Sequence, residues 1–446
     1  MKGQIINGNI YAIPTEEKQT VVFDIKTGAL FIAEKGISDI NSDEIQKYNI
    51  PPILCDLPEK IQQNLYKVSI ASAETCNLRC KYCYAESGTY GNTKHKLMDF
   101  ENYRKMFINI LDLIPEGPGA ICFFGGEPLL DFEAIKQFVL YVKNLHRTDN
   151  IRLPIWEMVT NGTLLDEEKI LFLKENNFQI SISLDGPKST NDLCRIFPDE
   201  KLSVFDCVKE NMAKVVQCDF SVSCGSTLDV PFFAQYQEGE YATYLASLYE
   251  LGFRYVGTNI ASTQGTDQMS AEISSKVELF ARDMADYDFD ILENGGCLSR
   301  VSNLVLTIIN RLTTKKYEVG CIPGANIVFY TGDGKYYPCH LMYESRKKEI
   351  KYDDMKNGLM VESYNRNVIE PCSSCHCRNL CMFWCPAMFP VNSDHPNSAT
   401  CLFQKALFEF VAVRLARVME NQDKMINFVE NVKSASEIIK RYKIED

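Results

Sequence analysis

Between residues 67 and 261, short apolar runs alternate with longer helical periods, and this rhythm limits the possible folds more than any other feature. The runs are KVSIASA (67–73), AICFFGG (120–126), PIWEMVTNG (154–162), FQISISLDG (178–186), DFSVSCGSTL (219–228) and FRYVGTNIA (253–261). Helical periods fall near 100–114, 132–146, 166–176, 204–216, 240–251 and 271–292. Strands separated by helices pair through crossovers rather than tight turns, which makes the sheet parallel. Six units suit a partial (β/α)6 TIM-like barrel of the α/β class better than a closed eight-stranded one. Several runs end in glycine or polar punctuation: GGEP, TNG and SLDG. In parallel α/β folds ligands sit at C-terminal strand ends, so these stretches would ring one site.

The flanks follow other patterns. Residues 1–66 read as a small hairpin-plus-helix unit. QTVVFDIKTGALFIAE supplies two short strands around a Lys-Thr-Gly turn, SDEIQKY a helix start, and NIPPILCDLPEK a proline-rich linker. The alternating unit extends over 67–300. Residues 301–402 form a further unit, in which 318–401 are dense in cysteine, glycine and proline, and a fold there needs metal to hold it. The tail, 403–446, returns to helix, with Phe403, Leu407, Phe410, Val411 and Val418 on one face.

The 446 residues carry a net charge of −12, which argues against nucleic acid as the main partner. No apolar run approaches the roughly 20 residues of a membrane span, and the start, MKGQIINGNIYAIPTEE, lacks a secretory pattern. A cytoplasmic location is expected. Eighteen cysteines are then anomalous. Disulfides are rare in a reducing compartment, so the thiols point to metal or redox chemistry. Cys55, Cys122, Cys194, Cys207, Cys218 and Cys224 are scattered and read as small buried hydrophobes. The others cluster at 76–83 and 297–401.

Cys76, Cys80 and Cys83 form Cys-x3-Cys-x2-Cys just after the first strand. Thiolates select soft metals. A structural zinc site would need a fourth ligand, and His95 is a poor candidate. Cys76-Asn-Leu-Arg-Cys80-Lys-Tyr-Cys83 resembles the signature of the radical S-adenosylmethionine (SAM) superfamily. The resemblance implies a 4Fe–4S cluster on the three thiolates, with SAM chelating the open iron, and reductive cleavage to a 5′-deoxyadenosyl radical. It also implies SAM contacts at the strand ends: Gly125, Gly126, Glu127 and Pro128 for the amino group, Asn161 in Thr160-Asn161-Gly162, Ser183 for the ribose, Arg195 for the carboxylate, and Tyr82 beside the adenine.

The second cluster resembles the SPASM extension of that superfamily, an iron–sulfur domain with two auxiliary 4Fe–4S clusters. By this resemblance Cys372, Cys375, Cys381 and Cys401 hold an outer cluster, and Cys321, Cys339 and Cys385 an inner one. The inner set counts three. Cys297 is the candidate to close it; otherwise one iron stays open to a substrate thiolate. Cys377 reads as a spare thiol and His340 as a surface residue. Taken alone, the Cys-x2-Cys and Cys-x3-Cys pairs would favour zinc.

Enzymes of this type mostly modify peptides. CYAESGTYG, after the third cysteine, looks like maturases of cysteine-rich peptides. The leading expectation is a thioether-forming maturase acting on a ribosomally made precursor, with a flavodoxin or ferredoxin as electron donor. Residues 1–66 would bind the precursor's leader by strand addition, or simply cap the barrel. Carbon–carbon crosslinking, formylglycine formation in a sulfatase, and a non-enzymatic iron–sulfur carrier are the other readings.

Overall fold

The computed structural model describes residues 2–441 apart from 7, 35, 41–59, 93–95, 262–268, 315–321, 346–347, 363–369, 371 and 382–397. The expected SDEIQKY helix, Cys55, His95, Cys321 and Cys385 lie outside the described residues.

All six apolar runs form strands. After four strands of the N-terminal segment and the short β5 (Lys60–Gln62) come β6 (Lys67–Ala73), β7 (Ala120–Gly125), β8 (Ile155–Thr160), β9 (Gln179–Ser183), β10 (Ser223–Leu228) and β11 (Tyr255–Ile260). They are parallel neighbours in that order. The sheet also continues beyond β6. β12 (Ile327–Tyr330) pairs with it in parallel, Ile327 opposite Lys67, and β13 (Tyr336–Tyr337) closes the edge antiparallel. IVFY is too short to carry a period, which hides it among the cysteines. β14 (Met360–Glu362) pairs with β5.

The crossovers are α1 (Phe100–Leu113), α2 (Phe132–Asp149), α3 (Glu167–Glu175), the short α4 (Lys188–Cys194), α5 (Val204–Gln217), the short α6 (Val230–Gln235) and α7 (Tyr241–Tyr249), with α8 (Ala271–Asn294) after the last strand. Side chains of Asp99, Asp166, Ser203 and Ser270 accept a backbone N–H from the first turns of α1, α3, α5 and α8, which sets where those helices begin. Beyond residue 300 the chain still builds core. In α9 (Asn303–Thr314), Val305, Leu306, Ile308, Ile309 and Leu312 are buried. After α10 (His340–Ser345) and α11 (Tyr352–Lys356), α12 (Ser398–Glu420) runs between the N-terminal sheet, α8 and α9, followed by α13 (Gln422–Lys440). α12 buries Phe403, Leu407, Phe408, Val411, Ala412 and Leu415, more than one face, as a helix enclosed by neighbours must.

The N-terminal segment holds more than a hairpin. β1 (Gln4–Ile6), β2 (Ile10–Pro14), β3 (Thr20–Asp24) and β4 (Leu30–Ala33) form an antiparallel meander. Asp24 accepts the N–H groups of Lys26 and Thr27, closing the expected turn between β3 and β4. Alternation sends Tyr11, Ile13, Val21 and Phe23 into the main core, and Ile10 and Val22 into a smaller cluster on the opposite face.

One buried acid in α8 makes a measurable claim. Asp288 is 0% exposed; one oxygen accepts Ser302 N–H at 2.8 Å and the other has no hydrogen-bond partner. Burial pushes its carboxyl well above the usual range. The folded chain then keeps a proton that the unfolded chain releases above pH about 4. Stability is therefore lost as pH rises from that value through the folded-state pKa. Asp288→Asn keeps an acceptor for Ser302 and removes the penalty. Its melting temperature should exceed the parent's at pH 8, by about 1–3 kcal/mol of stability, and the gap should close in acid.

Candidate active site

The loop after β6 carries Cys76, Cys80 and Cys83, all partly buried. It is pinned from the side by Arg79 N–H to Ile196 O (2.7 Å) and Lys81 N–H to Cys194 O (2.9 Å). From below, the end of β7 crosses it: Gly126 N–H donates to Ala73 O (2.7 Å) and Glu127 N–H to Thr75 O (3.0 Å). The two glycines serve this crossing. A Cβ on Gly126 would stand 2.1 Å from Thr75 O, and Gly125 has φ of 122°.

The thiols receive backbone donors. Leu78 N–H points at Cys76 Sγ (3.3 Å) and Ser87 N–H at Cys83 Sγ (3.3 Å), while Asn161 Nδ2 lies 3.7 Å from Cys76 Sγ. Burial pushes the Cys76 thiol up to about 12 and the Cys80 thiol to about 11. Such sulfurs ionise only when a cation compensates them. Three thiols on one loop, two of them met by N–H groups, fit an iron–sulfur cluster.

Two acidic groups organise the surrounding strand ends. Glu127 is 0% exposed. Its carboxylate accepts Leu129 N–H (3.0 Å), the Thr160 hydroxyl (2.6 Å) and Asn161 N–H (2.7 Å), tying β7 to β8. Burial raises its pKa to about 7 against the pull of those donors. Glu127 thus faces Thr160 and Asn161, while Asn161 reaches on to Asn77 (2.8 Å) within the cysteine loop.

Asp185 is the second organiser, and the sequence reading named it only as part of SLDG. Its carboxylate takes a two-pronged bond from Arg195 (Nε 2.9 Å, Nη2 3.0 Å), the Thr227 N–H (2.8 Å) and the Tyr82 phenol. Arg195 also lies over the Tyr82 ring at 5.4 Å. Tyr82, expected beside an adenine, is thereby fixed to β9 and β10, and Arg195 is committed to Asp185. An Asp-Gly at a strand end with an arginine ten residues on is a weak signal, readable only once both are known to face one mouth. Ser183, at the end of β9, is half-buried. The Arg195 and Asp185 side chains are only 7% and 5% exposed, so Arg195→Leu strands a buried carboxylate. Chemical denaturation should show a loss of about 3–5 kcal/mol, much of it restored by adding Asp185→Asn.

In the C-terminal region Cys372, Cys375, Cys377 and Cys381 follow one another through tight turns: Cys375 N–H to Cys372 O (3.0 Å) and Cys381 N–H to Cys377 O (2.8 Å). Cys401 sits in the first turn of α12. Burial pushes its thiol up to about 12, and Cys381, Cys372 and Cys375 add to the rise. Cys377 is buried against Cys375. Cys339 is buried at the start of α10 and receives Met342 N–H at 3.4 Å. His340 is no surface residue. Its ring packs against Phe124 (4.7 Å) and Tyr84 (5.6 Å), between the two cysteine regions. Cys297 is exposed in the turn after α8, its sulfur 3.2 Å from Ser299 Oγ. Among the described residues no helix is long and apolar enough to cross a membrane.

Residues 70–229 match the Radical SAM superfamily. A cysteine-type anaerobic sulfatase-maturating enzyme of Clostridium perfringens (strain 13 / Type A) is 25% identical over 369 residues, 78% of this chain and 96% of that protein. Two stronger local similarities are shorter. An uncharacterized protein of Methanocaldococcus jannaschii is 36% identical over 134 residues, and the cysteine-type anaerobic sulfatase-maturating enzyme of Clostridium novyi (strain NT) is 33% identical over 138. These cover 30% and 29% of this chain, and 43% and 35% of those proteins, less than half of either. The structure of native anSMEcpe with bound AdoMet shares the fold, with a TM-score of 0.64 at 21% identity over 80% of this chain and 100% of that one.

Proposed function

We propose that the chain is a radical SAM enzyme that modifies a cysteine residue of a peptide or protein, with a sulfur-to-carbon thioether as the product. The observation that carries the substrate class is the similarity, along 78% of the chain, to an enzyme whose name gives it a cysteine-type maturation. Cys76, Cys80 and Cys83 would hold one 4Fe–4S cluster. Cys372, Cys375, Cys381 and Cys401 would hold an auxiliary one, and Cys321, Cys339 and Cys385 another. When bound, the first cluster and SAM supply a 5′-deoxyadenosyl radical that takes one hydrogen atom from the substrate.

The chain's own part is positional. Gly125 and Gly126 let β7 pass under the cysteine loop. Glu127 locks Thr160 and Asn161 at the rim. Asp185, Arg195 and Tyr82 form a charge-neutral wall beside Cys80. Ser183 is then the group offered to the cofactor's polar parts, because the Asn161 amide is already bonded to Asn77 and Thr163. The thioether reading is supported by the count of three in the inner set, which would leave a position for the substrate's thiolate. Cys297, exposed beside Ser299, is not needed to complete that set, so Cys297→Ala should retain full iron content. A flavodoxin or ferredoxin would supply electrons, and the precursor would be a leader-bearing, cysteine-rich peptide.

A second reading, formylglycine formation, is favoured by the same relative. Mass spectrometry of cysteine-containing peptides encoded beside this gene, incubated anaerobically with reconstituted enzyme and SAM, separates the two. A product lighter by two hydrogens with its sulfur retained supports the thioether. Replacement of sulfur by oxygen together with loss of two hydrogens assigns formylglycine instead. Equal turnover of a peptide whose cysteines are all alanine defeats both.

A further inference from the structure

The N-terminal sheet is built into the four-cysteine site near the other end of the chain. Tyr11, on β2, lays its ring flat on His376, with centroids 3.7 Å and planes 4° apart. His376 stands between Cys375 and Cys377, and both rings are nearly buried, Tyr11 at 4% and His376 at 8% exposure. The Tyr11 phenol donates to Glu409 on α12, the helix whose first turn carries Cys401. Phe408, on the same helix, meets Tyr11 at 6.3 Å, His376 at 5.7 Å and Phe23 at 4.9 Å. Asn379 Nδ2 donates to Ile25 O at 3.0 Å, fastening the cysteine turn to the end of β3. One face of the sheet therefore covers both elements that carry the four thiols. That face is not available to a leader peptide, whatever the β1 edge does.

We propose that Tyr11 is a positioning residue for the outer cluster: its ring seals the Cys375–His376–Cys377 turn against water and controls how firmly iron is held there. The proposal rests on the reading that Cys372, Cys375, Cys381 and Cys401 bind an iron–sulfur cluster. The shell around a metal site sets its solvent access and local dielectric, and with them its lability and potential. With four thiolates, the reduced state of such a cluster carries the greater negative charge. Water admitted to the turn stabilises that state most. Losing the ring should therefore raise the midpoint potential while it speeds iron loss.

The test uses the full chain, reconstituted anaerobically, in four forms: parent, Tyr11→Leu, Tyr11→Phe and Cys381→Ala. The Cys381→Ala form identifies which irons belong to the outer site. Tyr11→Leu should release those irons to a ferrous chelator on the order of tenfold faster and shift their potential upward in an EPR-monitored titration. Tyr11→Phe, which keeps the ring and loses only the bond to Glu409, should stay near the parent. The SAM-responsive EPR signal of the three-cysteine site should not change in either. If Tyr11→Leu also melts lower, His376→Leu removes the other half of the stack from a loop and should reproduce both effects. Full iron content in Cys381→Ala overturns the four-cysteine reading. Iron loss in Cys381→Ala, with parental release rate and potential in Tyr11→Leu and His376→Leu, overturns the role of Tyr11 alone.

Discussion

Alanine at Cys76, Cys80 or Cys83 abolishes 5′-deoxyadenosine formation, whichever peptide is offered. The three thiols share a single loop, and none has a neighbour on that loop able to substitute for it. Two of them already receive an N–H group at 3.3 Å. The expected fall in SAM cleavage is more than roughly 10³-fold, equivalent to about 4 kcal/mol of barrier. Iron at the C-terminal cysteines should persist, because that site shares no ligand with the loop. Chromatography of the nucleoside product, beside iron analysis, checks both halves. Deoxyadenosine formed at the parental rate in any of the three variants would defeat the radical SAM assignment of this loop.

Gly126→Ala is expected to be nearly as damaging without touching a thiol. The added methyl would meet Thr75 O at 2.1 Å, Thr75 C at 2.4 Å and Cys76 N at 3.0 Å, all backbone. No rotamer relieves such a clash, so the cysteine loop must lift. Overpacking of this kind costs about 1–3 kcal/mol, and its effect lands on the residue beside Cys76. Cluster content at the three-cysteine site should fall sharply. Gly296→Ala is the control. There the nearest atom, on the Ile291 side chain, would lie 3.5 Å away, an ordinary contact. Equal iron retention in the two variants would show that the crossing does not position the loop.

Where the sequence was periodic it was legible. KVSIASA is β6 to the residue, and the five later runs each place a strand within a few positions. The parallel order followed from the helices between them. β12 was not legible, because IVFY is four residues long and its partner β6 lies more than 250 residues earlier. Nor was α9, whose apolar stripe lies past the alternating unit and just ahead of the cysteine-dense stretch. At the site, the cysteines and strand-end glycines were visible as a pattern, but the partners of each acid were not. Glu127 turns to Thr160 and Asn161, and Asp185 gathers Tyr82, Arg195 and Thr227. Those choices depend on which strand ends become neighbours, and no local spacing encodes that. The glycines illustrate the same limit. Their smallness could be read, but the surface they approach, the backbone of Thr75, could not.

The junction of the N-terminal sheet with α12 also orders events during synthesis. Tyr11 and Glu409 are separated by 398 positions. Domains emerge and fold from the N-terminal end, so β1–β4 leave the ribosome long before the helix that completes their core. Contacts of such separation form late and slowly. Until α12 arrives, the sheet face carrying Tyr11, Val21 and Phe23 is bare, and Cys401 is absent from its site. Strands β6–β11, which follow one another with Cys76, Cys80 and Cys83 after the first, are all made by residue 260, and β12 joins their edge later. The loop with Cys76, Cys80 and Cys83 is therefore in place long before Cys401 can join Cys372, Cys375 and Cys381.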